Sequence, residues 1–542
     1  MRLSPTFFSL ISVSGTLFLA GPGCARRESP AEAGVHTQTL LLGNLAEPAD
    51  VDPQVVLAYT DMNISYALFE GLTWVDAKTE RPVPGVAERW DISPDGKVYT
   101  FHLRPNARWS NGDPLTAGDF VAAFRRELLP AFAATYCYML WPIRNAEAFN
   151  AGKITDFKQV GVEALDEHTL RISLELPTPY LLALASHPTW MPVPCKVISQ
   201  FGPVEQKGSA WSRPGNLVGN GPFRLTEWTP NSRLVVVKNP YYWGAGNVRL
   251  DSIVFYPMDD AGGEERAFRA GQLDVTSKLP VSKIAAYRAE LPSRLRIEPV
   301  LNTTFLNFNT TRPPFDRPDL RRALSLAIDR EAISRDIYLG SLPPAHSLTA
   351  PDCGGYTAQA AVPDDVVEAR ALLARAGFPE GRGLPPIDVI THNDSDSQRM
   401  MVAIQTRWAT ELGVHVTLTP LEQKTLFQDQ QSLDYSIGQF GWYADYADPY
   451  TYLGMFTTGN GNNVTGWSNR EYDRLVDATT RTADNGRRFA LFQQAEAVLL
   501  QSSPVAPITF GGLVHVIQPT VHGWQVNQLG FQHYQDIWLG DH

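Results

Sequence analysis

The sequence predicts an α/β protein of two or three domains, and three observations carry that expectation. At 542 residues the chain is longer than a single hydrophobic core organises. Its second half alternates strand and helix patterns. Pro386 to Thr391 reads as a strand, Ser397 to Leu412 as an amphipathic helix closed by Gly413, and Val414 to Leu418 as another strand. A β–α–β unit of that kind predicts a mostly parallel sheet with helices on its faces. The first half reads differently, as hairpins. Glu88–Ile92 returns through Ser93-Pro-Asp-Gly96 into Lys97–Leu103, and Asn220–Trp228 returns through Pro230-Asn231 into Arg233–Trp243.

The remaining elements follow in order. Residues 26–36 are polar and contain Pro, Glu and Gly, as a linker would. Thr39–Gly43 is a strand, and a helix runs through Tyr66–Gly71, stopped by its glycine. Thr116-Ala-Gly-Asp119 opens a helix from Phe120 to Leu129, ended by Pro130. Thr169–Glu175 is a strand, and Pro192–Cys195 is a crossing point between domains. Later helices cover Asp319–Ile328, a segment capped by Pro363-Asp364 and ending at Gly377, and the stretches near 470–482 and 486–501. The last stretch, rich in Gln and aromatics, rejoins the first domain.

A net charge of −11 with no Lys/Arg cluster argues against nucleic-acid partners. The N-terminus reads as an export signal over residues 1–25: Arg2, then the short apolar run Phe7–Ala20, interrupted by Ser and Gly. Gly23-Cys24-Ala25 fits either a lipoprotein cleavage site, with Cys24 lipidated, or ordinary secretion. No later segment has the roughly twenty apolar residues that a spanning helix requires. With Cys24 set aside, Cys137, Cys195 and Cys353 remain in an oxidising compartment, where a Cys137–Cys195 pair is one possibility.

No pattern for catalysis emerges. The eleven histidines include no His-x-x-x-His pair, and Cys-x-x-Cys, Gly-x-Ser-x-Gly and a P-loop lysine are all missing. No metal or cofactor is expected. Asp259-Asp260 and Glu264-Glu265 look like an acid cluster but read as the solvated start of a helix, where acids are favoured. One stretch stands out, Phe440–Pro449. It ends a strand-like run and sets Asp445 among Trp442, Tyr443, Tyr446, Tyr450 and Tyr452. Rings around an acid lower the local dielectric, and an ammonium there gains charge-assisted hydrogen bonds and a cation–π surface. The alternative is a Tyr-rich loop in which Asp445 caps a turn.

The chain resembles the oligopeptide-binding receptors of peptide ABC transporters, solute-binding family 5. The resemblance runs from about Gln38 to the C-terminus and rests on Leu68-Phe-Glu-Gly-Leu72, Pro84-Gly-Val-Ala-Glu-Arg-Trp90, Trp109-Ser-Asn-Gly-Asp-Pro-Leu-Thr-Ala117, Asn220-Gly-Pro-Phe223, Asn239-Pro-Tyr-Tyr-Trp243, Pro313-Pro-Phe-Asp316 and Trp442-Tyr-Ala-Asp445. It implies the two-lobed periplasmic-binding-protein fold with mixed sheets and an extra α+β domain inserted near the N-terminus. Lobe I would comprise 37–70, 196–301 and 513–542, the extra domain 71–195, and lobe II 302–512. The ligand would lie as an extended strand between the lobes, and the protein would be a monomer that delivers it to a membrane permease.

The resemblance also implies roles. Asp445 matches the aspartate that takes the peptide α-ammonium, with backbone at Gly441, Trp442 and Tyr443 pairing with the first ligand residues. Tyr59 falls where the first lobe offers a strand to the ligand. Phe305 falls where an aromatic lines the cleft, with core packing as the alternative. Asn462 and Asn463 are candidates for backbone contact. Two departures matter. A disulfide common in lobe II is replaced by Asn302 and Tyr443. The basic positions that take the peptide C-terminal carboxylate align with Tyr338, Gln398 and Gln439, with Arg335 and Arg399 as nearby substitutes. A ligand-sensing or adhesion lipoprotein of the same fold, and a secreted hydrolase, are the competing classes.

Overall fold

The computed structural model describes residues 28–540. The export signal, Cys24 and its lipidation lie outside those residues. Three hydrophobic cores organise what is described. The first gathers Leu40 and Leu42, Val236 and Phe255, and the C-terminal residues Ile517, Tyr534 and Leu539. Its sheet runs in the order Thr39–Gly43, Ser252–Tyr256, Arg233–Lys238, Phe223–Thr229, parallel at the first pair and antiparallel after it. The C-terminal segment thus returns to the first lobe, where Gln38 Nε2 donates to the Leu539 carbonyl at 2.8 Å.

The second core belongs to the extra domain. Ala87–Ile92, Val98–Leu103, Thr169–Ser173 and Val162–Ala164 form an antiparallel sheet. Alternate residues Tyr99, Phe101 and Leu103 turn inward against Phe120 and Phe124. Those two lie on the helix Ala117–Leu128, where Asp119 accepts from the Thr116 N–H at 2.8 Å in a capping box. Across Trp190 and Met191 the chain passes from this core to the first.

The third core is that of lobe II. Its sheet runs Val416–Leu421, Ile387–His392, Ile437–Tyr443, Leu295–Phe308, Val505–Val516. The first three strands are parallel, as the β–α–β pattern requires, and the last two are antiparallel. The sheet is therefore mixed rather than mostly parallel, because the two long strands enter it from the other lobe. Leu295 packs with Phe268 and Ile284, whereas Leu306 and Phe308 pack with Leu324 and Trp408. The ladder between these strands is irregular at Val300/Thr303 and again at Thr304/Phe305. Bulges thus lie at the point where the ladder passes from one core to the other.

Several local expectations need correction. The stretch read as a linker carries the helix Pro30–Thr37, because Ser29 and Glu32 form a capping box that starts it. The helix placed at Tyr66–Gly71 begins earlier, at Tyr59, and ends at Leu68, with Phe69 already extended. Asp365, not Asp364, caps the helix Val366–Arg375, since Asp364 pairs with Arg330. Asp260 does start the helix Ala261–Arg269, but Glu264 and Glu265 are buried, not solvated. The helix turns Glu264 inward to accept from the N–H groups of Leu45 and Ser277. Cys137, Cys195 and Cys353 are all free thiols.

A buried ion pair fastens the extra domain to lobe I. Arg126, with no exposed side chain, donates to Asp52 Oδ2 and Gln54 Oε1, each at 2.7 Å, and to the Val204 carbonyl. Removing one partner leaves the other charged and buried, which costs about 3–5 kcal/mol. Asp52→Ala is expected to lower the unfolding free energy by that amount in urea titrations. A loss under about 1 kcal/mol would mean that the pair behaves as a surface one.

Candidate functional site

The strand Ile437–Tyr443 sits between a neighbour it follows fully and one it leaves early. All seven residues pair with Leu295–Phe308, from Phe308↔Ile437 to Asn302↔Tyr443. On its other side it pairs with Ile387–His392 only at Ile437 and Gly438. From Gln439 onward that second edge carries no neighbouring strand. The Ala444 N–H donates to the Leu301 carbonyl at 2.7 Å, so by alternation the peptide groups of Gly441 and Tyr443 point to the open side. The Gln439 carbonyl on that side is taken by Gln430 Nε2 at 3.0 Å. Gly441 and Tyr443 are both exposed, Tyr443 by 61 %.

The loop that follows is held by other residues than Asp445. Asp448 accepts from the Tyr450 N–H at 2.9 Å and pairs with buried Arg488 through both oxygens at 2.5 and 2.6 Å. Thr451 Oγ1 accepts from the Asp445 N–H and from Trp442 Nε1, each at 3.3 Å. The carboxylate of Asp445 caps no turn. It accepts a single side-chain hydrogen bond, from the Tyr138 hydroxyl at 3.1 Å, and among the described residues no Lys, Arg or His lies within ion-pair distance of it. Burial pushes its pKa up to about 7 against the small opposing effect of Tyr138.

Tyr138 comes from the extra domain, so this hydrogen bond spans the seam between that domain and lobe II. Its ring lies 5.8 Å from that of Tyr136 and 6.5 Å from that of Trp141. Beside it, Tyr180 stacks on Tyr446 at 5.0 Å and on Tyr450 at 5.9 Å, and the Arg488 guanidinium lies over Tyr180. Tyr136, Tyr138, Trp141 and Tyr180 were not among the candidates read from the sequence. For the first three the aromatic run at 136–141 was the available signal, but nothing in it points to an acid three hundred residues away.

The other candidates divide. Tyr59 lies at the start of a helix rather than on a strand. Its hydroxyl donates to the Gly530 carbonyl at 2.7 Å, and its ring stacks on Phe531. It borders a cavity of about 20 Å³ lined also by Thr276, His515 and Trp524, which is room for about one water. Phe305 is fully buried against Phe440 and Phe456, so its side chain belongs to the core of lobe II. Asn463 spends its amide inside its own loop, donating to Trp467 O and accepting from Thr465, while Asn462 is exposed. Asn302 and Tyr443 do stand opposite one another in the ladder.

Gln439 is buried and accepts from the His392 N–H while donating to Ser397 Oγ at 3.0 Å. Gln398 donates to Thr391 Oγ1 and to the His392 carbonyl. The Tyr338 hydroxyl faces the Met400 sulfur at 3.6 Å. Arg335 is exposed and bidentate to Asp336, and Arg399 pairs with Asp396. Lys278 of lobe I reaches Asp396 of lobe II at 4.0 Å.

The raised pKa of Asp445 has a consequence for the empty protein. An unfolded aspartate releases its proton near pH 4, whereas the folded one keeps it until about 7. Stability therefore falls as pH rises through that window and stays lower above it. Asp445→Asn is expected to match the wild-type melting temperature at pH 4 and to exceed it by roughly 1–3 °C at pH 8. The same difference at both pH values would show that Asp445 ionises normally.

Residues 81–464 match the bacterial extracellular solute-binding proteins, family 5. The chain is 34% identical over 514 residues to a probable deoxycholate-binding periplasmic protein of Escherichia coli, covering 93% of this chain and 94% of that one. It is 32% identical over 523 residues to the periplasmic oligopeptide-binding protein of Salmonella typhimurium, covering 94% of each. Among solved structures, the Haemophilus influenzae oligopeptide-binding protein in complex with the peptide RPPGFSPFR superimposes with a TM-score of 0.80 at 29% identity, over 93% of this chain and 99% of that one. On fold and sequence together, the chain belongs to the bacterial extracellular solute-binding proteins of family 5.

Proposed function

We propose that this protein is the extracytoplasmic receptor of a peptide ABC transporter and that it encloses an extended peptide between its lobes. The peptide's α-ammonium is held by Asp445. The observation that carries this reading is an acid with no counter-ion among the described residues, placed beyond the open end of a strand edge and touched from the opposite domain by one phenol. A peptide laid on that edge would take main-chain hydrogen bonds from Gly441 and Tyr443, and its ammonium would meet the carboxylate among the rings of Tyr138, Tyr136 and Trp442. Relatives named for oligopeptides support peptide as the ligand class. Their periplasmic location supports export, with Cys24 as the candidate anchor and a membrane permease as the partner.

The relative named for deoxycholate prompts a second ligand, a steroid carboxylate. The site chemistry opposes it here. Such a guest brings no cation to Asp445, and closing over it would leave that acid buried and unpaired. Deoxycholate is therefore a useful control ligand.

Isothermal titration of purified protein with short free-amine peptides is expected to show binding that Asp445→Ala weakens by roughly 2–5 kcal/mol. N-acetylated versions should bind the wild type and the variant equally weakly. Equal affinity of the wild type for acetylated and free peptides would remove the ammonium from the account.

A further inference from the structure

Given a seam that closes as the reading above requires, we propose that Gln528 and the two acids beside it, Glu80 and Asp352, form a proton-sensitive latch on the closed lobes. Gln528 is touched from all three parts of the molecule. Its N–H donates to Glu80 Oε2 of the extra domain at 3.0 Å, and its side-chain amide reaches Asp352 Oδ2 of lobe II at 3.5 Å. Its carbonyl accepts from the Leu301 N–H at 2.7 Å, on the long strand that crosses between the lobes. The residues on either side repeat the pattern. Asn527 Nδ2 donates to the Val75 carbonyl of the extra domain at 3.3 Å, and Leu529 packs both on the lobe I core and on the core that holds Phe305 and Phe440. The junction is also one peptide away from the candidate site. The Leu301 carbonyl accepts in turn from the Ala444 N–H, and Asp445 is the next residue, so a firm grip on Gln528 steadies the backbone that carries that acid.

The latch lacks charge balance. Glu80 is half-buried at the end of the turn Asp76–Glu80, and among the described residues no Lys, Arg or His pairs with it. The charges that face it are Asp76 on its own turn and Asp352 across the seam, while Lys78 and Arg81 are exposed and the segment 524–532 carries no charged residue. Gln528 Oε1 is shut off from solvent and has no donor among the described residues. A proton on Glu80 would relieve its repulsion with Asp352 and supply an O–H at the residue whose Oε1 lacks a donor. Burial pushes the Glu80 carboxyl up to about 7, opposed by the Gln528 N–H and reinforced by the two aspartates. An open seam returns Glu80 to water, where a glutamic acid gives up its proton near about pH 4. Closing therefore takes up a proton between those two values. It has that support in full below them and loses it as pH rises through about 7.

The test is small-angle X-ray scattering of the ligand-free full chain at pH 5.5 and pH 8, in an Asp445→Asn background that silences the other acid of the seam. The expected result is a larger radius of gyration at pH 8 than at pH 5.5. Adding Glu80→Gln should remove at least half of that difference, and adding Gln528→Leu should give the larger radius at both pH values. An equal radius at both pH values in the Asp445→Asn protein overturns the latch, as does a difference that Glu80→Gln leaves intact or a Gln528→Leu protein that scatters like its parent. No peptide enters the experiment. A protein that binds no peptide can thus still show the latch, and one whose peptide affinity depends on Asp445 can still lack it.

Discussion

A half-buried acid that no cation of the described residues reaches stands at the seam between lobe II and the extra domain. Asp445 belongs to lobe II and Tyr138, its side-chain hydrogen-bond donor among the described residues, to the extra domain, so the carboxylate lies where these two surfaces meet. Meeting over nothing is disfavoured, because the charge must either be neutralised or stay unpaired in a poor dielectric. Meeting over an ammonium reverses the sign. The same burial that penalises the empty closed form strengthens the attraction to a guest. A guest bearing that ammonium would thereby acquire differential affinity for the closed state, which is what a closure driven by binding requires.

The backbone around Asp445 supplies the complementary part. The strand Ile437–Tyr443 outruns its parallel neighbour because Ile387–His392 gives way at His392 to the turn that starts the next helix. An open edge is an aggregation hazard when long and flat. Here it extends for only a few residues, lies between domains, and ends at a charge. These features keep it a place for one extended chain and not a general adhesive. The loop beyond it is fixed by the Asp448–Arg488 pair and by the Tyr180, Tyr446 and Tyr450 stack, which hold Asp445 in place without engaging its carboxylate.

What the sequence made legible follows from how local each signal is. The strand–helix–strand unit at 386–418, the hairpins of the first half and the capping box at Thr116 are encoded within a few residues, and they formed as read. Asp445 was visible because its aromatic neighbours are adjacent in the chain. Tyr138 was not, because its relation to Asp445 exists only across a domain seam. Phe305 illustrates a different limit: alternation in a strand predicts that a side chain is turned inward, but not whether inward means cleft or core. Glu264 failed for a similar reason, since a helix N-terminus favours acids whether it faces water or a neighbouring loop.

The positions opposite one another at the bulge add a constraint on the two crossover strands. Asn302 and Tyr443 face each other where the long ladder shifts register, and with no cysteine at either position nothing covalent fixes the bulge. Packing does restrict it. A Cβ on Gly511 would come within 2.5 Å of the Asn302 Cβ, so the two crossover strands approach this closely only because residue 511 is glycine. The bulge is therefore tight without being cross-linked. It includes Asn302, whose partner Tyr443 also belongs to the edge that would receive a ligand. A guest strand hydrogen-bonded at Tyr443 would pull on the residue pair beside this bulge, so the grip on the ligand and any bending between the lobes would share one short stretch of backbone.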